Sequence, residues 1–278
     1  MLTKWHEHGF LILKEGEFEM SLNEIITIFS FLFGLAIGSF LNVCIYRIPL
    51  KKSLIYPPSS CPQCGERIRF YDNIPIISYI VLLGRCRRCG KPISIGYPLV
   101  ELITGLLSLF LFIRYRLSHQ YFLLLIFSAS LIVISIIDLR HQVIPDIISL
   151  PGIVLGLLIA LIFKDIKWYD SLIGAIAGGG ILYILAEGYF LLTGKDGMGG
   201  GDIKLLAMIG AWMGWRAIPQ IILISSFTGI IIGGSALLLT KKGMQTKIPF
   251  GPFLVLGVFA YLFFKQPIDA FFKYYFYF

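Results

Sequence analysis

Eight apolar stretches, separated by short polar turns and by one longer soluble insertion, decide what this chain can fold into. They run approximately over 24–46, 98–117, 121–138, 147–163, 170–192, 203–215, 217–239 and 250–266. A hydrocarbon layer about 30 Å thick takes roughly 20 apolar residues at a helical rise of about 1.5 Å each. Inside that layer every backbone polar group must find its partner within the protein, so such stretches fold as helices. The expected fold is an all-α polytopic membrane protein with about eight transmembrane helices and one small insertion. Composition agrees: only 14% of residues are charged, against about 25% in soluble domains. At 13 residues, 203–215 is short for a crossing and reads as tilted, extended or re-entrant.

The domain reading follows from these stretches. Residues 1–23 form an N-terminal tail, 24–46 the first transmembrane helix, 47–97 a soluble insertion and 98–278 the remaining membrane domain. The first twenty residues carry Lys4, Glu7, Lys14, Glu15, Glu17 and Glu19, with no charge-free apolar core of signal-peptide length, and receive no function. The insertion holds nine Lys or Arg against two acids, Glu66 and Asp72, which places it in the cytoplasm by the positive-inside rule. Counting spans onward puts loops 139–146, 193–202 and 240–249 on the same side. The net charge of +8 is accounted for by anionic lipid headgroups and calls for no nucleic-acid partner.

An insertion of about fifty residues needs a staple to hold a fold. Cys61-Pro62-Gln63-Cys64-Gly65 and Cys86-Arg87-Arg88-Cys89-Gly90 read as two knuckles, in which glycine permits the turn that points both thiolates inward. The 21 residues between the pairs slightly exceed ordinary zinc-ribbon spacing. In a reducing compartment a structural Zn²⁺ on Cys61, Cys64, Cys86 and Cys89 is the favoured reading, with redox-active pairs or free thiols as alternatives. Cys44, inside the first span, reads as a small packing residue.

Two carboxylates carry the chemical expectation. Asp138 ends an apolar run, and Asp202 begins one behind Gly199-Gly200-Gly201. The topology puts both at the cytoplasmic membrane face. A carboxylate is costly to place in a bilayer, by about 2.5–3.5 kcal/mol at a helix centre and less near the surface. Two such groups on one side point to shared acid–base chemistry. Glycines before Asp202 permit positive φ and a close backbone approach. Asp202 also opens a helix, so capping is its structural alternative. Asp146 reads as the cap of the following helix, and Asp196 as a turn residue. Glu101, four residues into an apolar helix, is either a snorkelling or paired carboxylate or a polar contact to substrate or cofactor. Serine or cysteine catalysis lacks support, because of the four histidines only His141 lies near the acids and no nucleophile stands beside it.

At these residues the chain resembles the type IV prepilin peptidase family, the bifunctional leader peptidase/N-methyltransferases. The resemblance runs from about Glu24 to the last span. It rests on Gly-Ser-Phe-Leu-Asn-Val at 38–43, the two Cys-x-x-Cys pairs, Tyr-Pro-Leu-Val-Glu at 97–101, Ile-Asp at 137–138 with Ile-Pro-Asp at 144–146, and Gly-Met-Gly-Gly-Gly-Asp-Ile-Lys-Leu at 197–205, in that order. It implies a membrane-embedded aspartic endopeptidase of the bacterial inner membrane. Such an enzyme removes the basic leader from type IV prepilins and pilin-like secretion precursors, cutting after glycine at the cytoplasmic face. It then methylates the new N-terminal amine with S-adenosyl-methionine. Asp138 and Asp202 match the catalytic aspartates and the four cysteines match the zinc ligands. Gly199, Gly200, Gly201, Lys204 and Glu101 are the candidate substrate contacts.

The competing readings are a proton-coupled transporter using the aspartates as a relay, and a scaffold whose zinc domain docks a partner. The first predicts carboxylates nearer the midplane and inverted repeats; no convincing repeat is present.

Overall fold

The structure is a computed structural model that describes residues 21–195, 197–235 and 249–276. The tail at 1–19, Asp196 and most of the 240–249 loop lie outside the described residues. In order, the α-helices are α1 (Leu22–Arg47), α2 (Ile77–Val81), α3 (Gly96–Tyr115), α4 (His119–His141), α5 (Asp146–Phe163), α6 (Trp168–Thr193), α7 (Gly200–Met213), α8 (Ala217–Thr228), α9 (Gly251–Phe263) and α10 (Lys265–Phe276). A π-helical turn, Gly229–Gly233, continues α8. Among the described residues no strand forms, only two isolated bridges, Ser60 with Arg67 and Arg85 with Pro92. Each of the eight apolar stretches contains a helix, and the chain is an all-α multi-pass membrane protein.

Length separates these helices into two kinds. Five, α1 and α3 to α6, are long and apolar enough to cross a membrane. α9 and α10 make a sixth crossing only if taken together, and they bend by 95° at their junction. α10 is a separate helix that the apolar run at 250–266 does not announce. α7 has 14 residues, about 21 Å at helical rise. It can be short because protein, not lipid, surrounds much of it: Leu205, Leu206, Met208, Ile209 and Ala211 are all buried.

Contacts divide the chain into two compact units, one of residues Met1–Arg47 with Lys52–Ala129 and the other of Ile48–Lys51 with Ser130–Phe278. In the first unit α1 lies against α3. A Cβ added to Gly38 would sit 2.6 Å from the Glu101 Cα, and one on Gly34 2.5 Å from the Ser108 Cβ, so the two backbones approach only because these positions are small. Ser108 Oγ donates to the Ser30 carbonyl at 2.7 Å, a bond in which a buried hydroxyl finds its partner on the neighbouring helix.

In the second unit α7 is the hub, packed against α5, α6 and α8, while α8 packs on α9. Gly174 of α6 meets Gly210 of α7 so closely that a side chain on either would strike the other's backbone. Ser171 Oγ donates to the Ala211 carbonyl at 2.5 Å, Trp212 Nε1 to the Gly152 carbonyl at 2.8 Å, and Trp215 Nε1 to Asp170 Oδ1 at 2.9 Å. These bonds fix the rotation of α7 and therefore where its first turn points. Large side chains such as Ile147, Val154, Ile162, Ile176 and Ile184 are exposed on α5 and α6, as lipid-facing positions would be.

Candidate active site and thiol cluster

Asp138 lies in the last turn of α4 and Asp202 in the first turn of α7, both in the second unit. They are near enough that the charge on Asp138 acts directly on Asp202. Asp138 is 5% exposed, and its Oδ2 accepts a hydrogen bond from the Gly251 backbone N–H at 3.1 Å. Asp202 Oδ1 is buried and has no hydrogen-bond partner among the described residues. A buried carboxylate oxygen left unbonded is costly and calls for an explanation.

The residues around the pair explain how it is held. Ile144, in the turn between α4 and α5, is a wedge. A Cβ on Gly201 would lie 2.9 Å from the Ile144 Cβ, and one on Gly251 would lie 3.3 Å from the Ile144 Cδ1 and 2.6 Å from Asp138 Oδ2. Only glycine fits at either place. Gly251 and Ile144 were not among the candidate site residues. The available signals were the Gly-Pro that opens the last span and the Ile-Pro-Asp after Asp138; neither residue type carries chemistry of its own.

The three glycines before Asp202 act differently from one another. Gly199 is the N-cap of α7 with φ −77° and ψ 142°, and the helix begins at Gly200. None of the three takes the positive φ that their lack of a side chain permits. Gly199 and Gly200 are exposed, and a Cβ on Gly200 would meet nothing within 4 Å. An extended chain can therefore approach this backbone closely. Asp146 is not the cap expected of it: Pro145 occupies the cap position without a side-chain bond. The Asp146 carboxylate is instead gripped by Lys204 Nζ at 2.7 and 2.9 Å. This pair is half-exposed, so its net contribution to stability is small.

The first unit carries the cysteines. Gly65 and Gly90 adopt φ of +71° and +66°, the turn that each Cys-x-x-Cys-Gly requires. Each knuckle is closed in the same way: the Gly65 N–H donates to the Cys61 carbonyl and the Gly90 N–H to the Cys86 carbonyl, both at 2.9 Å. The four Sγ atoms lie within 4.8 Å of one another, with Cys61 and Cys89 at 3.9 Å. Tetrahedral zinc with Zn–S bonds of about 2.3 Å separates its sulfurs by about 3.8 Å, so the cluster fits a Cys₄ zinc ion. Backbone N–H groups of Cys89 and Arg88 bring the Cys86 thiol down to about 7. At Cys64 the backbone N–H of Glu66 works the same way, but desolvation and the thiols of Cys61 and Cys89 outweigh it and push the group up to about 11. Four thiolates this close cannot all ionise unaided, and a dication removes that conflict. Among the described residues all five cysteines are free of disulfides.

Glu101 also belongs to the first unit. Its Oε2 accepts the Ile76 N–H at 2.8 Å, and its carboxylate is bonded to the Ser39 hydroxyl. Ile76 sits at φ +60°, which is rare for a β-branched residue. Glu101 thus ties the insertion to the end of α1. Asn42 Nδ2 makes a second tie, donating to the Tyr97 carbonyl at 3.1 Å.

The fold and the site together define a polytopic helical membrane protein with an acid pair at the ends of two helices and a four-thiol insertion. A family model described as the bacterial Peptidase A24 N-terminal domain matches residues 32–115, and one described as the type IV leader peptidase family matches 125–234. The chain is 40% identical over 246 residues to the prepilin leader peptidase/N-methyltransferase of Pseudomonas putida, covering 81% of this chain and 85% of that protein. It is 39% identical over 251 residues to the protein of the same name from Aeromonas hydrophila, with 82% and 87% covered. For that of Pseudomonas aeruginosa the figures are 39% over 249 residues, 81% and 86%. The chain belongs to the type IV leader peptidase family. No solved structure matches it.

Proposed function

We propose that this protein is a bifunctional membrane enzyme that cleaves the leader from type IV prepilins and then N-methylates the product. The observation that carries the peptidase reading is the pairing of Asp138 with Asp202, with one buried carboxylate oxygen left unbonded beside a helix start that an extended chain can reach. Two carboxylates that share a site hold one proton between them at neutral pH. The ionised one takes a proton from water as the water oxygen attacks the scissile carbonyl carbon. The protonated one donates its hydrogen bond to the oxyanion that forms. The tetrahedral intermediate collapses as the C–N bond breaks and the leaving amine takes up a proton. The Gly251 N–H holds Asp138 in place, and Gly201 and Ile144 set the approach of α7.

Gly199, Gly200 and Gly201 are the proposed contacts for the substrate backbone, and Lys204 for a polar or acidic group of the substrate. The substrates are prepilins and the pilin-like precursors of secretion systems, cut after glycine so that phenylalanine commonly becomes the new first residue. Lysine and arginine are concentrated in the insertion, which supports a cytoplasmic insertion and a site at the cytoplasmic face of the bacterial inner membrane, in contact with anionic lipids. Zn²⁺ on Cys61, Cys64, Cys86 and Cys89 staples the insertion. When bound, S-adenosyl-methionine supplies a methyl group on a sulfonium that departs as a neutral thioether. The new N-terminal amine must be unprotonated to accept that methyl group. Glu101 serves this second reaction.

The test is a prepilin incubated with the protein in lipid nanodiscs and read by mass spectrometry. Wild type removes the leader mass and, with donor present, adds one methyl. Asp138→Asn and Asp202→Asn each abolish the leader loss while zinc content and helicity stay unchanged. Continued cleavage by either variant removes that residue from the mechanism.

A further inference from the structure

The first unit contains a cavity of about 550 Å³ between the cytoplasmic ends of α1 and α3 and the cysteine knuckles. Small-molecule sites span roughly 300–1,000 Å³. Tyr46 and Tyr79 supply aromatic faces to it, and Asn42 and Asn73 supply amides. Two further lining residues are charged and buried: Arg47 on α1 and Glu101 on α3, each 9% exposed. Among the described residues neither forms an ion pair. Arg47 donates to the carbonyls of Ser53 and Pro57, and Glu101 accepts from Ile76 and Ser39. These bonds supply dipoles, not counter-charges. A guanidinium has five N–H donors and a carboxylate about four acceptor positions, so each keeps capacity for a ligand. Of the other charges lining the cavity, Asp72 is matched by the fork of Arg87 and Glu66 by Arg88, while Arg67, Arg69 and Lys91 are exposed to solvent.

A buried cation and a buried anion, each without an opposite charge, suit a zwitterion. An α-amino acid group brings one carboxylate and one ammonium. S-adenosyl-methionine brings both, together with a second cation at sulfur and an adenine able to stack on tyrosine. We propose that this cavity is the methyl-donor site, with Glu101 facing the cationic end of S-adenosyl-methionine and Arg47 its carboxylate. The proposal rests on the methyl-transfer half of the function above. It gives Glu101 a ligand role beyond its tie to Ile76, and it makes the donor site a product of the insertion and the first two long helices alone.

The experiment uses the full-length, zinc-loaded protein in nanodiscs. Donor binding is measured by calorimetry for wild type, Glu101→Gln and Arg47→Gln, with zinc content and circular dichroism recorded for each. A photoactivatable azido-adenine analogue of the donor is then cross-linked and its attachment mapped by peptide mass spectrometry. Glutamine at 101 keeps an acceptor for the Ile76 N–H while losing the charge, so its fold is expected to survive. Removing one side of a buried charge contact weakens donor binding by about tenfold or more for each variant. The label falls within residues 39–101. Wild-type affinity in both variants, or a label confined to residues 130–278, overturns the cavity as the site even where wild type methylates its substrate. If a variant loses zinc or helicity, the labelling of wild type decides. A wild type that removes the leader but neither binds donor nor adds a methyl overturns the methyl-transfer reading, and this inference with it.

Discussion

Replacing Gly251 by alanine tests whether Asp138 is held where the chemistry needs it. The added Cβ would lie 2.6 Å from Asp138 Oδ2, 3.3 Å from its Cγ and 3.3 Å from the Ile144 Cδ1. Real carbon contacts do not close to 2.6 Å, so either the carboxylate rotates away or the start of α9 retreats. Both movements stretch the 3.1 Å bond from the Gly251 N–H. Overpacking of this kind costs about 1–3 kcal/mol, and a hydrogen bond to a charged group contributes about 1.5–3 kcal/mol. A displacement near 1 Å at a catalytic group costs on the order of 10²-fold in rate. The expected result is a fall in kcat of about a hundredfold for prepilin cleavage, with KM little changed and a lowered Tm. Donor affinity should not move, because that cavity lies in the other unit. Gly180→Ala is the control, since a Cβ there meets nothing within 4 Å. Cleavage by Gly251→Ala within threefold of wild type would refute the claim that this backbone N–H positions the acid.

Three further outcomes follow from the same geometry. Zinc occupancy should fall as pH drops from 7 towards about 5, because each ligating thiol must be deprotonated and protons compete with the ion for the four sulfurs, until even Cys86, which is brought down to about 7, takes up a proton; chelator competition across pH measures it, and occupancy that stays flat contradicts the Cys₄ site. Gly210→Ala places a methyl against the Gly174 backbone, where no flexible side chain can yield; a loss of about 1–3 kcal/mol should appear as a lower Tm together with lost cleavage, because α7 carries Asp202. Lys204→Met removes the grip on the exposed Asp146 and should change stability by less than about 1 kcal/mol, so a large fall in cleavage at constant Tm assigns Lys204 to the substrate, and unchanged cleavage withdraws it.

Much of this arrangement is legible in the sequence because the bilayer limits the options. The apolar stretch 98–117 becomes α3 at Gly96–Tyr115, and 121–138 becomes α4 at His119–His141, within a turn at each end. Cys-x-x-Cys-Gly is equally readable, since the turn it forms is local and needs φ values that glycine supplies. Asp138 and Asp202 stand out because carboxylates are scarce where lipid is near. Long-range packing is what the sequence conceals. Gly251 is 113 residues from the aspartate it bonds, and no local pattern distinguishes it from the glycines that merely let helices touch. The Asp146–Lys204 pair spans 58 residues, whereas a capping role for Asp146 needed only its neighbours, which is why the local reading favoured the cap.

The same contrast explains why α7 can be short. A helix of about 21 Å cannot satisfy a 30 Å bilayer by itself, yet its first turn must bring Asp202 to the acid on α4. Burial of Leu205, Leu206 and Ile209 among α5, α6 and α8 replaces the lipid contacts that a longer helix would make. The Ser171 hydroxyl and the Trp212 indole N–H then fix its rotation by donating to the backbone carbonyls of Ala211 and Gly152. With the helix so clamped, a glycine start places the carboxylate without the bulk of other side chains around it. Lengthening α7 at its N-terminus would move Asp202 by about 1.5 Å per residue and rotate it by about 100°, so a single residue inserted between Asp202 and Leu205 should abolish cleavage even if the protein still folds and binds zinc. Retained cleavage in that insertion variant would mean that the acid's position is not set by this helix.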